Sequence, residues 1–390
     1  MANSTMTVGN QAPGTGAESI AVEQVSKEYP GGSVALREVS LRVEPGTFVV
    51  LLGPSGSGKT TLLRCLAGIE RVTSGRIAIG GRTVASEQEH VPPDRRNLSM
   101  VFQDYALWPH LRVRENVAFA LRRAKLAKPA GQARTQAMLD RVGLGTLADR
   151  YPNELSGGEQ QRVALARALV AGTGLILCDE PLSNLDADLR ERMRVEISAL
   201  VRESGATAIY ITHDQAEAFA LADQVGVLQD GRLIQFGRPE RVYTEPASPF
   251  VARFTGLSGE LPVRVVSQAG AGAAVPGTGG VTEVELAGPA LLRTCRVRTT
   301  SQLAPGSAAI LQIRPTGVQL AGTNDGEHHL AGVVADVAFR GRGYEHAIDI
   351  AGHSRLTGIF APARADRGTS VGLRLDPAGC HVFAAGSAAD

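Results

Sequence analysis

Apolar positions along the chain follow two different spacings, which divide it into a mixed α/β portion and an all-β portion. Between residues 18 and 255, apolar runs such as Phe48–Leu52 alternate with segments whose apolar residues recur at helical spacing. From residue 256, Gly, Ala and Val dominate, and short apolar runs are separated by turn residues. We predict a polar tail over residues 1–17, an α/β domain over residues 18–255 and a small β-barrel over residues 256–390.

Single elements follow from the same spacings. Residues 20–25 and 40–43 alternate in the way that suits an antiparallel layer. Residues 104–160 form a predicted helical subdomain. The helices predicted there are residues 114–126 and 132–142, and another helix follows at residues 161–170. The strands predicted in the C-terminal barrel are residues 261–266, 281–286, 309–313, 332–339 and 347–350.

The segment after Phe48–Leu52 has the pattern of a phosphate-binding loop. Glycines let backbone N–H groups close around phosphate oxygens, and the positive end of the next helix faces the same anion. In this pattern Lys59 reaches the β- and γ-phosphates, and the Thr60 hydroxyl ligates Mg²⁺. The residues expected to contact nucleotide are Gly53, Pro54, Ser55, Gly56, Ser57, Gly58, Lys59, Thr60 and Thr61.

A second apolar run ends in two adjacent carboxylates. Residues 175–178 are apolar, Asp179 and Glu180 follow, and Pro181 ends the run. Such a run suits a parallel strand that is covered on both faces. Asp179 is placed to hold Mg²⁺, and Glu180 is placed to orient and deprotonate an attacking water.

A third segment predicts another anion site. A small polar residue and bare backbone at a helix start can bind an anion, and this pattern precedes the predicted helix at residues 161–170. An ordinary helix cap is the alternative. Because the phosphate-binding loop already provides one such site, the second suggests that two subunits each supply half of a shared site. The residues concerned are Ser156, Gly157, Gly158 and Glu159.

Three single residues gain meaning from their positions. Gln103 follows a predicted strand and can reach Mg²⁺ or the attacking water, and His213 follows another and can hydrogen-bond the γ-phosphate and Glu180. Ligands of open α/β sheets bind at such strand ends. Tyr29 lies upstream, where stacking on adenine and packing within its own loop are both open.

In their order along the chain, from Tyr29 to His213, these motifs closely resemble those of the ATP-binding subunits of ABC transporters, over residues 18–255. The resemblance implies an α/β P-loop NTPase, with an antiparallel β layer and a helical subdomain, that hydrolyses ATP with Mg²⁺. In that family the loop at residues 183–186 communicates across a dimer, so Asp186 is expected at the shared site. Glu159 stands where the family's commonest residue is Gln.

Residues 101–111 resemble the same stretch in importers of iron(III), polyamine, aminoethylphosphonate, sulfate and sugar. The resemblance implies a homodimer that works with two integral membrane permease subunits and, indirectly, a solute-binding protein. Tyr105, Leu107 and Trp108 are the expected permease contacts, although Leu107 could equally pack inside the subdomain. Residues 92–97 and 108–110 favour iron(III), aminoethylphosphonate or polyamine as the solute. A sugar or sulfate importer, and a soluble ABC ATPase with a regulatory role, are the alternatives.

The C-terminal region also carries a family likeness. Residues 313–320 and 332–344 resemble the oligonucleotide-fold-like (TOBE) module at the end of many importer ATPases. Thr316 stands where an acid is more usual in that module. The resemblance implies that the module helps the subunits to dimerise, and that it sometimes senses a regulator.

Composition bears on the partners of the protein and on the compartment in which it works. Forty basic and 39 acidic residues leave almost no net charge, which argues against nucleic acid as a partner. The four cysteines lie far apart without metal-ligand spacing, which is typical of a reduced, cytosolic protein. Apolar runs stay shorter than a bilayer span. The resemblance to importer ATPases then implies a location at the cytoplasmic face of the inner membrane, where the chain is bound through its permease subunits.

Overall fold

The computed structural model describes residues 16–124, 126–268, 280–286, 294–299, 302–322, 330–350 and 355–385. The chain divides into two compact units, Met1–Pro239 and Glu240–Asp390. The predicted tail at residues 1–17 lies almost entirely outside the described residues. In the part of the chain that is described, no helix combines the length and apolar character that crossing a membrane requires.

The first unit contains an antiparallel sheet and a mainly parallel sheet. Its strands are β1 (Ile20–Glu28), β2 (Val34–Val43), β3 (Phe48–Leu52), β4 (Ser74–Ile79), β5 (Arg82–Ser86), β6 (Leu98–Val101), β7 (Leu175–Asp179), β8 (Thr207–Thr212), β9 (Gln224–Gln229) and β10 (Arg232–Gly237). The antiparallel sheet has the order β2-β1-β4-β5, and the second sheet has the order β10-β9-β3-β8-β7-β6. In the second sheet, β9, β3, β8, β7 and β6 run parallel, and β10 pairs antiparallel with β9.

Helices connect these strands. They are α1 (Lys59–Ala67), α2 (Val113–Ala118), α3 (Lys128–Arg141), α4 (Gly157–Val170), α5 (Ala187–Ser204) and α6 (Gln215–Leu221). The single helix predicted over residues 114–126 is instead α2 followed by a 3₁₀ turn at Phe119–Ala124. The ring of Phe119 packs on Trp108 with centroids 4.2 Å apart, a tertiary contact that the helical spacing alone does not show.

Burial explains the apolar runs. Every residue of β3 and β7 is buried, because helices and the second sheet layer cover both faces of central parallel strands. In β1, buried and more accessible residues largely alternate, as expected for a strand with one covered face. All four cysteines are free and buried, and burial raises the pKa of the Cys65, Cys178 and Cys295 thiols to about 12.

The second unit begins with two short helices and continues as β-structure. The helices are α7 (Pro239–Thr244) and α8 (Pro249–Phe254). The strands are β11 (Gly259–Gln268), β12 (Gly280–Leu286), β13 (Thr294–Thr299), β14 (Ala308–Ile313), β15 (Val318–Ala321), β16 (Leu330–Phe339), β17 (Tyr344–Ile350), β18 (Arg355–Ala361), β19 (Ser370–Leu375) and β20 (Cys380–Ala384).

These strands form two sheets rather than the one barrel predicted. A closed barrel contains β11-β12-β13-β20-β14, and a five-stranded sheet has the order β15-β19-β16-β17-β18. The last strand, β20, returns to close the barrel between β13 and β14. Local spacing locates strands but does not show such long-range pairings, so the sequence could not separate the two sheets.

A buried arginine organises the start of the second unit. Arg314 follows β14 and is 1% exposed. Its Nη1 donates to the carbonyls of Ala252 and Gly256 at 2.9 and 2.7 Å, and its Nη2 donates to the Tyr243 carbonyl at 2.8 Å. The guanidinium also lies over the Tyr243 ring, 4.2 Å from the centroid. One side chain thus joins the helical segment to the barrel strand.

Candidate functional site

Strand order brings the predicted site residues to one edge of the parallel sheet. The loop with Lys59 follows β3, Asp179 ends β7, Glu180 follows it, and His213 follows β8. Because β3, β8 and β7 are parallel neighbours, these carboxyl ends lie side by side. Tyr29 is half-buried in the turn after β1, in the antiparallel sheet.

The phosphate-binding loop depends on glycines for steric reasons. A Cβ on Gly53 would lie 2.4 Å from the Leu228 carbonyl oxygen. Gly58 has φ +97°, and a Cβ there would lie 2.5 Å from the Ala35 carbonyl oxygen. Side chains at either position would force the backbone apart. Between these glycines, Ser55 and Gly56 remain exposed.

Lys59 lies under this loop at the start of α1. Its Nζ donates to the carbonyls of Gly53 and Pro54 at 2.7 and 2.8 Å and approaches Ser57 Oγ at 3.4 Å. Burial lowers the pKa of Lys59, and the negative charges of Glu180 and Asp179 oppose that shift. The ammonium is therefore positioned inside the loop, where a phosphate chain would meet it.

Thr60 and Asp179 form an oxygen-rich pair beside Lys59. The Thr60 hydroxyl donates to Asp179 Oδ1 at 3.3 Å. Desolvation raises the pKa of Asp179. A hydroxyl and a carboxylate at the end of a buried strand are the hard oxygen ligands that Mg²⁺ prefers, so the residues present fit this ion.

Glu180 has an unusual backbone. Its φ is +43°, in the left-handed region that non-glycine residues rarely adopt. Its N–H donates to the Ile211 carbonyl at 3.2 Å, and its Oε2 lies 3.1 Å from His213 Nδ1. Backbone strain of this kind concentrates at functional sites. The turn directs the carboxylate toward the end of β8 and away from the path of β7.

The loop after Glu180 joins this edge to two other segments. Ser183 Oγ donates to the Glu180 carbonyl at 2.9 Å, and Asn184 Nδ2 donates to the Gln103 carbonyl at 3.0 Å. Asp186 caps α5 by accepting from the Leu189 N–H at 3.0 Å. The structure therefore ties Gln103 to this loop through its backbone, while its side chain is exposed.

The second predicted anion site is an exposed helix start. Ser156 is the N-cap of α4, and Glu159 Oε2 accepts from both the N–H and the hydroxyl of Ser156 at 2.8 Å. These hydrogen bonds lower the pKa of Glu159. Gly157 is exposed, whereas Gly158 is buried and a Cβ there would touch Leu189 at 3.0 Å. The segment thus presents bare backbone to solvent at the positive end of a 14-residue helix.

Comparison with known proteins identifies the family. A family model described as ABC transporter matches residues 36–183, and another, described as TOBE domain, matches residues 311–383. The chain is 45% identical over 331 residues to the Fe(3+) ions import ATP-binding protein FbpC of Brucella abortus (strain 2308), covering 85% of this chain and 88% of that protein. The chain belongs to the family of ABC transporter ATP-binding subunits.

This ABC ATPase is also similar to a second import protein and to a solved cassette structure. It is 47% identical over 270 residues to the sn-glycerol-3-phosphate import ATP-binding protein UgpC of Rhodopseudomonas palustris (strain BisB5), covering 69% of this chain and 72% of that protein. A solved structure described as the dimeric post-hydrolysis state of the ATP-binding cassette MJ0796 bound to ADP and Pi matches with a TM-score of 0.50 and 31% identity. That match covers 56% of this chain and 98% of the other.

These findings confirm the predicted family, the fold of a P-loop α/β core followed by an all-β TOBE region, and the activity. The chain is an ABC transporter ATPase and binds ATP. The assignment of single residues to roles at the ATP site stays a prediction.

The side chains that we expected to contact the permease are partly buried inside the ABC ATPase itself. Tyr105 is 6% exposed and packs inside the helical subdomain, so our expectation of a permease contact is wrong for this side chain. Leu107 and Trp108 are half-buried. The Trp108 ring packs against Phe119 with the two planes tilted by 39°, and the Arg167 guanidinium lies 5.0 Å from the Trp108 ring centroid.

Sequence reasoning missed a group of side chains behind Glu180. A cavity of about 30 Å³ is lined by Glu180, His213, Arg190 and Glu217, among others. Glu217 is buried, accepts from Tyr210 Oη at 2.9 Å, and has its pKa raised by desolvation. Glu217 lies three residues after the N-cap Asp214, a spacing that is typical of an exposed capping box and gives no sign of burial.

Proposed function

We propose that this chain hydrolyses ATP at a site shared by two copies of itself and thereby powers solute import through separate membrane subunits. The observation that carries this proposal is the meeting of Lys59, Thr60, Asp179, Glu180 and His213 at one sheet edge, with a second anion site at the start of α4. One nucleotide needs one phosphate-binding loop. The second helix start is then available to a nucleotide held by a partner copy.

The residues divide the chemistry among them. Lys59 and the backbone of its loop bind the phosphate chain. Glu180 accepts the proton of the water that attacks the γ-phosphate, and His213 orients Glu180 through their hydrogen bond. Thr60, Asp179 and the Gln103 side chain would hold Mg²⁺, which neutralises phosphate charge when bound. Tyr29 supplies an aromatic face for adenine.

A shared site would couple ATP binding and hydrolysis to the association and separation of the two copies. Ser156, Gly157 and Gly158 of one copy would bind the γ-phosphate held by Lys59 of the other, with Asp186 beside the boundary. Loss of the γ-phosphate then removes a charge that both copies bind, and the pair separates. The dimeric ADP- and Pi-bound cassette that resembles this chain supports such a pairing. A ligand that binds the closed state several kcal/mol more tightly suffices to shift the equilibrium.

Relatives indicate the transport system. The import proteins that resemble this chain over most of its length support a role in uptake, with two integral membrane permease subunits and a solute-binding protein as partners. We propose iron(III) as the solute, because relatives named for Fe(3+) ions match 85% of the chain. Through the permeases, the chain would lie peripherally at the cytoplasmic face of the inner membrane.

A second candidate solute is sn-glycerol-3-phosphate. The relative named for its import is 47% identical, although the match covers a smaller part of this chain. Iron(III) and glycerol phosphate are chemically different solutes, so uptake measurements distinguish them directly.

The test is uptake in a deletion strain of the organism that encodes the chain. Deletion should abolish high-affinity uptake of radioactive iron(III), and wild-type protein should restore it. Lys59→Ala should fail to restore uptake although the protein accumulates normally. Uptake of radioactive sn-glycerol-3-phosphate in the same strains is the parallel measurement. Loss of glycerol phosphate uptake with normal iron uptake would refute the iron assignment and leave the ATPase assignment intact.

A further inference from the structure

The loop that carries Tyr29 is attached to the segment after α1. The Tyr29 N–H donates to the Ser33 carbonyl at 2.9 Å, which closes the turn. Thr73, beyond α1, accepts from the Glu28 N–H through its hydroxyl at 2.9 Å and donates its own N–H to the Ser26 carbonyl at 2.8 Å. The backbone on the N-terminal side of Tyr29 therefore has fixed partners.

A buried cation lies against the Tyr29 ring. Lys27 is 9% exposed, and its Nζ is 4.8 Å from the ring centroid of Tyr29. The same Nζ lies 3.3 Å from Glu70 Oε2. A buried ammonium requires such a partner, and a cation over a ring face is attracted by the π electrons. Lys27 thus lies over one face of the ring, and Tyr29 as a whole is half-buried rather than enclosed.

Glu70 connects this cation to the phosphate-binding loop. Helix α1 starts with Lys59 and ends before Gly68, which has φ +81°. The N–H groups of Ile69 and Glu70 both donate to the Arg64 carbonyl, at 2.9 and 3.2 Å, so Glu70 is fixed at the end of α1. A nine-residue helix is about 13 Å long and rigid. The position of the Tyr29 ring is therefore set relative to the phosphate site.

We propose that Lys27 and Glu70 are positioning residues for adenine recognition, fixing the Tyr29 ring so that the face away from Lys27 stacks on the base of a nucleotide held by Lys59. The inference rests on the proposed ATP site and adds residues to it. Stacking on Tyr29 should strengthen the binding of any nucleotide that carries a purine base, because every purine has a π face. A triphosphate without a base would gain nothing from the bridge between Lys27 and Glu70.

The experiment compares two ligands by calorimetry, MgATP and Mg-tripolyphosphate. Lys27→Met keeps the apolar stem and removes the cation, and we expect about fivefold weaker MgATP binding with unchanged tripolyphosphate binding. The KM for ATP should rise to the same extent while kcat stays the same. We expect Glu70→Gln to fold and to hold the Lys27 ammonium less firmly. It should therefore weaken MgATP binding, as Lys27→Met does. Lys27→Arg should retain wild-type affinity.

A double-mutant cycle tests whether Lys27 affects MgATP binding through the Tyr29 ring. Tyr29→Ala should itself weaken MgATP binding, and adding Lys27→Met to it should cause no further loss. Arg42→Met is the matched control, because Arg42 is a cation of the same sheet with 80% of its side chain exposed. Equal loss of tripolyphosphate binding in Lys27→Met, additive effects with Tyr29→Ala, or no effect of Tyr29→Ala would each overturn the inference. Failure of the wild-type protein to bind either ligand would instead overturn the proposed function.

Discussion

At the residue scale, the site combines groups whose ordinary behaviour is altered by burial. Lys59 is an ammonium inside a loop, and Asp179 is a carboxylate at the end of a buried strand. Glu180 differs from both, because it lies in a left-handed turn at the edge of the sheet with His213 as its hydrogen-bond partner. Its position suits proton transfer rather than phosphate or metal binding.

Replacing Glu180 by Gln should separate binding from catalysis. The amide keeps the size of the side chain but cannot take a proton, so kcat should fall about a hundredfold or more. ATP binding should persist, and the variant should accumulate as an ATP-bound dimer in gel filtration. Glu203→Gln is the control, because this acid lies on the exposed side of α5. Turnover of Glu180→Gln at the wild-type rate would contradict the assigned role.

His381 should make the second unit sensitive to acid. Burial, with the charges of Arg314 and Arg298 nearby, lowers the pKa of His381 from 6.5 to about 4. Between pH 6.5 and 4 the unfolded chain therefore binds a proton that the folded chain excludes, so stability is full above this window and falls as pH decreases through it. From pH 7 to pH 5, wild type should lose about 2 kcal/mol more unfolding free energy than His381→Gln. Urea unfolding at both pH values measures this difference, and equal losses in the two proteins would contradict it.

At the element scale, the elements that could be predicted from the sequence are those whose residues are contiguous in the chain. The phosphate-binding loop and strand β7 depend on neighbours in sequence, so spacing was enough to locate them. Helix α2 ends early beside the Trp108–Phe119 contact, β20 closes the barrel by pairing with β13, and Glu217 is buried against Tyr210, and each outcome depends on side-chain packing or pairing rather than on spacing. Such contacts leave no local trace in one sequence. The roles assigned to Gln103 and Ser156 remain predictions.

Arg314 should determine how firmly α7 and α8 attach to β14. Arg314→Met would leave one buried and two partly buried carbonyls without this donor, at a cost of about 3 kcal/mol. Arg314→Lys should recover little, because one ammonium cannot reproduce the planar fork. The urea midpoint, followed by circular dichroism, measures the loss. Arg355→Met, which breaks an exposed ion pair with Asp349, should leave the midpoint unchanged. A wild-type midpoint in Arg314→Lys would show that the fork is dispensable.

At the scale of the whole molecule, the proposed site needs two copies. Lys59 and Ser156 belong to different elements of one chain, and each would complete the site of the other copy. In this proposal, hydrolysis is a property of the pair. The proposal also accounts for the two helix starts to which we assign anion binding, at α1 and α4.

Mixing two inactive variants should restore turnover. Ser156→Arg blocks one half of the shared site, and Lys59→Ala removes the other half, so each protein alone should be inactive. In an equal mixture about half of the dimers combine both variants, and each of these has one intact site, giving about a quarter of wild-type activity. Two differently tagged samples of Lys59→Ala, mixed in the same way, are the control. Absence of any recovery would contradict the shared site.

Cys65, Cys178, Cys295 and Cys380 lie inside the protein, and their environment keeps them as unreactive thiols. A maleimide should therefore leave the native protein unlabelled, so no cysteine-free background is required. One cysteine introduced on an exposed face would then carry a spin label or a fluorophore at a unique position. Pairs of such labels would report the separation between two copies during turnover, in a protein that keeps all four of its own cysteines.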